Sequence, residues 1–172
     1  VGLERFGSIA LAPNVIAYFT NCTFDGQAST YGALYSASNQ LVNIEDSNFA
    51  NCPSGGIRDA GSNHILNIDG CRFQNCTGSG GILVNSATTS LNVSDSIFLN
   101  NSRGNPSQGS AIYSPGPFSV FTSVFSGNAS FALYMAVPNY CIMGNCAFCG
   151  PRPTEVFGVV IDKGSNIYNA DC

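Results

Sequence analysis

Phe24, Phe49, Phe73, Phe98, Phe125 and Phe148 follow one another at intervals of 25, 24, 25, 27 and 23 residues, each in the same local setting. A period in this range marks one supersecondary unit copied along an axis, so stacking decides the fold of such a chain before any motif is weighed. Seven residues before each Phe stand Ala17, Val42, Leu66, Leu91, Phe118 and Cys141; five before it stand Phe19, Ile44, Ile68, Val93, Val120 and Met143. Between them lie Tyr18, Asn43, Asn67, Asn92, Ser119 and Ile142. Apolar, mostly polar, apolar is the period-two pattern of a strand with one buried face. Two residues before the Phe come Cys22, Ser47, Cys71, Ser96, Ser123 and Cys146, small enough to share that face with the ring.

The turns are more restrictive still. Two residues after the Phe lie Gly26, Asn51, Asn75, Asn100, Gly127 and Gly150; three before it lie Asn21, Asp46, Gly70, Asp95, Thr122 and Asn145. Gly lacks a Cβ, and Asn or Asp can hydrogen-bond locally, so these residues reach the left-handed region at least cost. Each position is therefore a sharp backbone corner. After a loop of variable length comes a further strand: Ala33-Leu34-Tyr35, Gly56-Ile57-Arg58, Gly81-Ile82-Leu83, Ala111-Ile112-Tyr113, Ala132-Leu133-Tyr134 and Gly158-Val159-Val160. Its leading Gly or Ala implies a tight approach to a neighbouring backbone.

Three short strands and two one-residue corners per unit describe an all-β solenoid, a single-stranded parallel β-helix of about six turns of ~25 residues. Residues 1–172 form one such domain, with partial turns at both ends. An antiparallel sandwich also has many short strands, but it does not require one residue class at so many aligned positions. A single turn cannot bury its own apolar face and needs its neighbours.

Charged residues make up only 9% of the chain, 6 basic against 10 acidic. That leaves no basic patch to neutralise phosphates, so nucleic acid is not an expected partner. No 18-residue apolar run is present, so no membrane span is expected. No basic leader segment opens the chain and no Met starts it, which points to a processed or excised product. The solvated surface falls to Asn, Ser, Thr and Gly, a neutral coat that suits an extracellular or cell-surface protein.

Eight cysteines allow many pairings. Cys52 and Cys76 hold the same place in adjacent turns, three after the Phe. Cys172 follows Asp171 as Cys146 follows Asn145, so it is expected to open a seventh turn over Cys146. A stacking distance near 4.8 Å lies within the usual Cα separation of disulfides, about 4.4–6.8 Å, and both pairs are candidates. Cys141, Cys146 and Cys149 lack a second pair at zinc spacing, and the chain has one histidine, so no metal and no other cofactor is expected. Five glycosylation sequons begin at Asn21, Asn75, Asn92, Asn100 and Asn128.

Glu45 and Asp69 share a place in neighbouring turns, with Asp46 and Asp95 at corners and Arg72 on the next strand. Stacked carboxylates can hold Ca²⁺ or divide into acid and base for glycoside hydrolysis. Asp at a corner, however, has a backbone reason to be there, and no His or Lys joins the group. His64, in Gly61-Ser62-Asn63-His64-Ile65, is read as an exposed loop residue. Tyr35, Tyr113 and Tyr134 occupy one outward place, with Arg58, Leu83 and Val160 between and after them. An aromatic and aliphatic stripe of this kind marks a contact surface for a glycan, a partner rod or the long loops themselves.

Phe98-Leu99-Asn100-Asn101 and Phe125-Ser126-Gly127-Asn128, with Gly55-Gly56-Ile57 and Gly80-Gly81-Ile82, resemble the FxxN and GGA[ILV] repeats of the chlamydial polymorphic membrane proteins. In the first turns the pattern departs, because Asn51 and Asn75 come one residue early. More broadly the chain is similar to the pectate-lyase-like right-handed β-helices. That resemblance implies a right-handed coil and a surface-exposed adhesive rod; the catalytic Gly-His-Gly and Asp-Asp motifs of the lyase and polygalacturonase branches do not appear. The expected function is a non-enzymatic extracellular structural or adhesive element, glycosylated, stacking on copies of itself or cut from a longer rod. A polysaccharide lyase or glycoside hydrolase, or a carbohydrate-binding module, is the alternative.

Overall fold

A computed structural model describes residues 9–26, 31–104, 109–136, 139–149 and 156–168. The described strands form three parallel sheets of seven strands each. The first sheet holds Ile9–Leu11, Leu34–Ser36, Ile57–Asp59, Ile82–Val84, Ile112–Ser114, Leu133–Met135 and Val156–Phe157. Ile16–Thr20, Leu41–Glu45, Ile65–Asp69, Ser90–Ser94, Phe118–Phe121, Tyr140–Gly144 and Val159–Asp162 make the second. In the third lie Thr23–Asp25, Asn48–Ala50, Arg72–Gln74, Ile97–Leu99, Val124–Ser126, Ala147–Cys149 and Ile167–Tyr168. The chain visits the second, third and first sheets in turn, and each strand pairs in parallel with the equivalent strand of the next coil. This is the parallel β-helix expected from the repeat.

The recurring Phe is the centre of the core. Phe49, Phe73, Phe98, Phe125 and Phe148 are fully buried. Their rings stack face to face from Phe24 onward at 4.5, 4.7, 4.9, 5.0 and 5.0 Å between centroids, with interplanar angles of 10° or less. The spacing follows from the ladder itself, because strands pair at about 4.8 Å and in-register side chains repeat at that distance. Gly56 and Gly81 lie close to the neighbouring backbone and to the rings. A Cβ on Gly81 would sit 2.7 Å from the Ala111 carbonyl oxygen and 3.1 Å from a Phe98 ring carbon.

Corners take the conformation their residue types imply. Asn21, Asp46, Gly70, Asp95, Thr122 and Asn145 have φ between 47° and 61°, and Gly26, Asn51, Asn75, Asn100 and Gly127 between 51° and 62°; Gly150 lies outside the described residues. A third set of left-handed corners, Asn14, Asn39 and Asn63, joins the first sheet to the second and has no counterpart in the sequence reading. Thr122 departs from its column: a β-branched residue at φ 52° is strained. Thr122→Gly or Thr122→Asn is therefore expected to raise stability by about 1 kcal/mol, read as a higher urea midpoint at an unchanged slope. A lower midpoint would show that the threonine has an offsetting partner.

Two inward columns beside the rings satisfy backbone groups at the bends. In the column two before the Phe, the Ser47, Ser96 and Ser123 hydroxyls accept from the N–H groups of Cys22, Cys71 and Ser96 at 3.0–3.2 Å. Each hydroxyl also donates to the carbonyl two residues earlier. The column three after the Phe runs Cys52, Cys76, Asn101, Asn128, all buried. Asn101 accepts from the Cys76 N–H and donates to the Phe73 carbonyl, both at 3.0 Å, and Asn128 repeats the scheme one coil on.

The last coil differs from expectation. Tyr168 takes the Phe place, 5.1 Å from Phe148, and Asn166 lies over Cys146, accepting its N–H at 2.9 Å. The interval from Phe148 to Tyr168 is only 20 residues, shorter than any earlier repeat. The residue over Cys146 is thus Asn166 rather than Cys172, which itself lies outside the described residues. The same shortening moves Val159 and Val160 into the second sheet, and the last described strand of the first sheet is Val156–Phe157.

Candidate functional site

Glu45 and Asp69 are paired neighbours on exposed strand ends of the second sheet, and the Ser94 hydroxyl donates to Asp69 at 2.5 Å. Asp46 and Asp95 are the left-handed corners that follow. Arg72 points outward and donates to Gln74 at 2.7 Å. The carboxylates thus line the exposed edge where the second sheet turns into the third. A cleft of about 200 Å³ lies elsewhere on the second sheet, between Asn92, Ser119, Tyr140 and Ile142. Its floor continues an outward ladder in which Asn67 donates to Asn43, Asn92 to Asn67 and Ser119 to Asn92 at 2.8–2.9 Å.

His64 is not an exposed loop residue: it is 2% accessible, and its Nδ1 lies against Asp59 Oδ1. Asp59 is wholly buried and accepts from Ser36 at 2.8 Å and Thr89 at 2.7 Å. The reason is alternation. Ile57, Arg58 and Asp59 point in, out and in, and the left-handed corner at Asn63 precedes an inward His64. Serine, histidine and aspartate are all present, yet the hydroxyl donates to the carboxylate rather than to the imidazole. A nucleophile would need the imidazole as its base, so the group acts as a clip joining three coils.

Cys52 and Cys76 are in-register thiols rather than a disulfide, and Cys146 is likewise a thiol. Parallel in-register stacking holds equivalent Cβ atoms near 4.8 Å apart, beyond the usual Cβ separation of about 3.5–4.5 Å in a disulfide. The sulfurs bond to backbone instead: Cys52 to Ala50 at 3.3 Å, Cys76 to Phe49 at 3.5 Å and Cys146 to Val120 at 3.5 Å. Burial pushes the Cys71 thiol up to about 11 and raises Cys141 and Cys146 as well; Cys76 is raised first by its hydrogen bond with Cys52 and then by burial. These are packing cysteines, poor in the reactive thiolate.

Among the sequons, Asn21, Asn75, Asn92 and Asn100 are exposed. Asn128 is not available: it is 8% accessible and its amide is spent inside the rod on Phe98 and Asn101. The FxxN column and the sequon compete for one side chain, and the internal column wins.

The outward row of the first sheet is the remaining candidate. Ala10, Tyr35, Arg58, Leu83, Tyr113, Tyr134 and Phe157 are in register. Phe157 stands where Val160 was expected, and Leu83 is buried rather than exposed. Tyr113 and Tyr134 stack at 5.4 Å, Tyr134 and Phe157 at 4.6 Å, and Phe131 packs against both of the latter. Arg103, from the loop after Ile97–Leu99, lies 4.5 Å over the Tyr113 ring, while Tyr31 packs at a tilt against Tyr35 at 5.1 Å and lies beneath Arg58. The sequence placed the three tyrosines in one column; Tyr31, Arg103 and Phe131 come from loops, where no period announces them.

Three continuous parallel sheets around a stacked core define a β-solenoid. Residues 6–148 match the family of the right-handed β-helix region, and the chain belongs to that family. No curated protein and no solved structure matches the chain significantly.

Proposed function

We propose that the chain is a non-enzymatic structural or adhesive rod of an extracellular or cell surface, and that it makes contact through the outward row of its first sheet. The observation that carries this reading is the aromatic stack Tyr113–Tyr134–Phe157 with Arg103 laid on it. Aromatic and arginine side chains dominate recognition surfaces because they bring large contact areas at low entropic cost. The neutral Asn and Ser coat and the exposed sequons at Asn21, Asn75, Asn92 and Asn100 favour a glycosylated, surface-displayed protein. The likeness of the Phe-Asn repeats to those of adhesive β-helices points the same way.

Coil-on-coil stacking, with another copy or with more of the same rod, belongs to the proposal. The outermost described strands, Ile9–Leu11, Ile16–Thr20 and Thr23–Asp25 on one side and Val156–Phe157, Val159–Asp162 and Ile167–Tyr168 on the other, each pair with one neighbour among the described strands. Such strands suit the head-to-tail contact that propagates into filaments. Sedimentation of the purified chain at rising concentration tests this, and a monomer throughout would remove the filament. Adhesion of the immobilised chain to cell and matrix surfaces is expected to fall about tenfold in Tyr113→Ala/Tyr134→Ala, with thermal midpoint little changed because the row lies outside the core. Equal adhesion of the variant would refute the contact row.

A further inference from the structure

We infer that the outward row of the first sheet receives the acidic edge of a second copy of this chain, so that rods associate side by side; this rests on the row being the contact surface.

Charge is sorted over the described surface. The strands of the first sheet carry a single carboxylate, Asp59, which points inward and is engaged by Ser36, Thr89 and His64. Of the four described cations, Arg58 and Arg103 both belong to the aromatic row. Glu45, Asp46, Asp69 and Asp95 are exposed and line the junction of the second sheet with the third, the one junction that does not border the first sheet. Arg72, just past that junction, turns to Gln74. Among the described residues none of the four carboxylates is in an ion pair. Glu45 and Asp69 are directly paired neighbours, and like charges so placed repel. The edge therefore gains from a cationic surface laid against it.

The row has the chemistry of that surface. Arg103 is held by the Tyr113 ring and by the antiparallel bridge from its backbone to Ser79. Its guanidinium is half-buried and has no hydrogen-bond acceptor among the described residues. Burial lowers its pKa; Tyr113 acts in the opposite direction, and the nearby Arg58 lowers it further. A partly desolvated donor beside a like charge is stabilised by a carboxylate, which the planar guanidinium fork meets bidentately. The rings favour the same partner. Tyr113, Tyr134 and Phe157 stack at 5.4 and 4.6 Å, so they cover one another's faces and turn their edges outward. An aromatic edge is the electropositive part of the ring quadrupole, and the tyrosine hydroxyls are donors.

Spacing makes the two patches fit. Arg58 and Tyr113, whose ring carries Arg103, are two strands apart in the first sheet, with Leu83 between them. Asp46 and Asp95 are likewise two coils apart, with the Gly70 corner between them. At about 4.8 Å per strand, each pair spans roughly 10 Å along the axis. A parallel copy displaced sideways, at a single axial offset, therefore sets Asp46 against Arg58 and Asp95 against Arg103 together. Edge meets row in this contact, so it is heterologous, and the copy that gives its edge keeps its row for the next. A net charge of −4 opposes indiscriminate association, which confines the attraction to the sorted patches.

The test mixes two variants of the whole chain. Asp46→Asn/Asp95→Asn neutralises the edge with a residue the same corner column already holds at Asn21 and Asn145. Arg58→Gln/Arg103→Gln neutralises the row. Sedimentation of the unmodified chain is expected to show association at about 50 mM salt that weakens tenfold or more by about 300 mM. Each variant alone is expected to lose this salt-dependent association, and an equimolar mixture to regain a one-to-one pairing, because each supplies the patch the other lacks. Association insensitive to salt and to both variants runs through the ends of the rod and overturns the lateral contact. No association at low salt, or no recovery in a mixture of variants with normal thermal midpoints, overturns it as well. If adhesion is then still lost in Tyr113→Ala/Tyr134→Ala, the contact row stands with another partner; if adhesion is unchanged, both readings fall.

Discussion

Phe98→Ala is expected to lower stability by about 3–5 kcal/mol, against roughly half that for Phe24→Ala. Phe98 sits in the middle of the ring stack with neighbours at 4.9 and 5.0 Å and no exposed surface. Its strand is paired on both sides, with Ile97, Phe98 and Leu99 in register with Arg72, Phe73 and Gln74 and with Val124, Phe125 and Ser126. The backbone cannot close on the space left behind without breaking that register, so the cavity persists, and persistent cavities account for the upper range of such losses. Phe24 retains 7% accessibility in an outer coil. Solenoids need not unfold in one step, so the measurement is hydrogen exchange of the amides of the central coils beside denaturant unfolding. Equal losses for the two variants would mean that the stack does not gain strength towards its centre.

The Phe column was legible because a parallel ladder imposes the same demand on each coil, and the corners were legible because φ near 50–60° admits few residue types. Where either demand lapses, the reading lapses too. Tyr168 replaces Phe after a shortened interval, and the cysteine pairing built on the old interval placed Cys172 where Asn166 lies. The sequon at Asn128 illustrates a different failure. A three-residue motif says nothing of which way its Asn points, and only the column shared with Cys52, Cys76 and Asn101 shows that it points inward. In the contact row the in-strand members Tyr35, Tyr113 and Tyr134 follow from alternation. Arg103 and Phe131 reach it through loops of unequal length, and no periodicity encodes them.

Asp59 offers the sharpest test of how far polar groups hold this core. Its carboxylate accepts from Ser36 in the preceding coil and Thr89 in the following one, and faces His64 in its own. Asp59→Ala takes the carboxylate away from three buried polar groups, Ser36, His64 and Thr89, at 1–2% accessibility. Breaking one side of a buried pair in this way is expected to cost about 3–5 kcal/mol. Removing the partner as well should recover much of that loss, because the penalty lies in the unmatched group rather than in the missing attraction. The double variant Asp59→Ala/His64→Leu is therefore expected to be more stable than Asp59→Ala alone, a non-additivity a double-mutant cycle measures directly. Losses that simply add would mean that the imidazole and the carboxylate act independently, with the coils joined here by Ser36 and Thr89 alone.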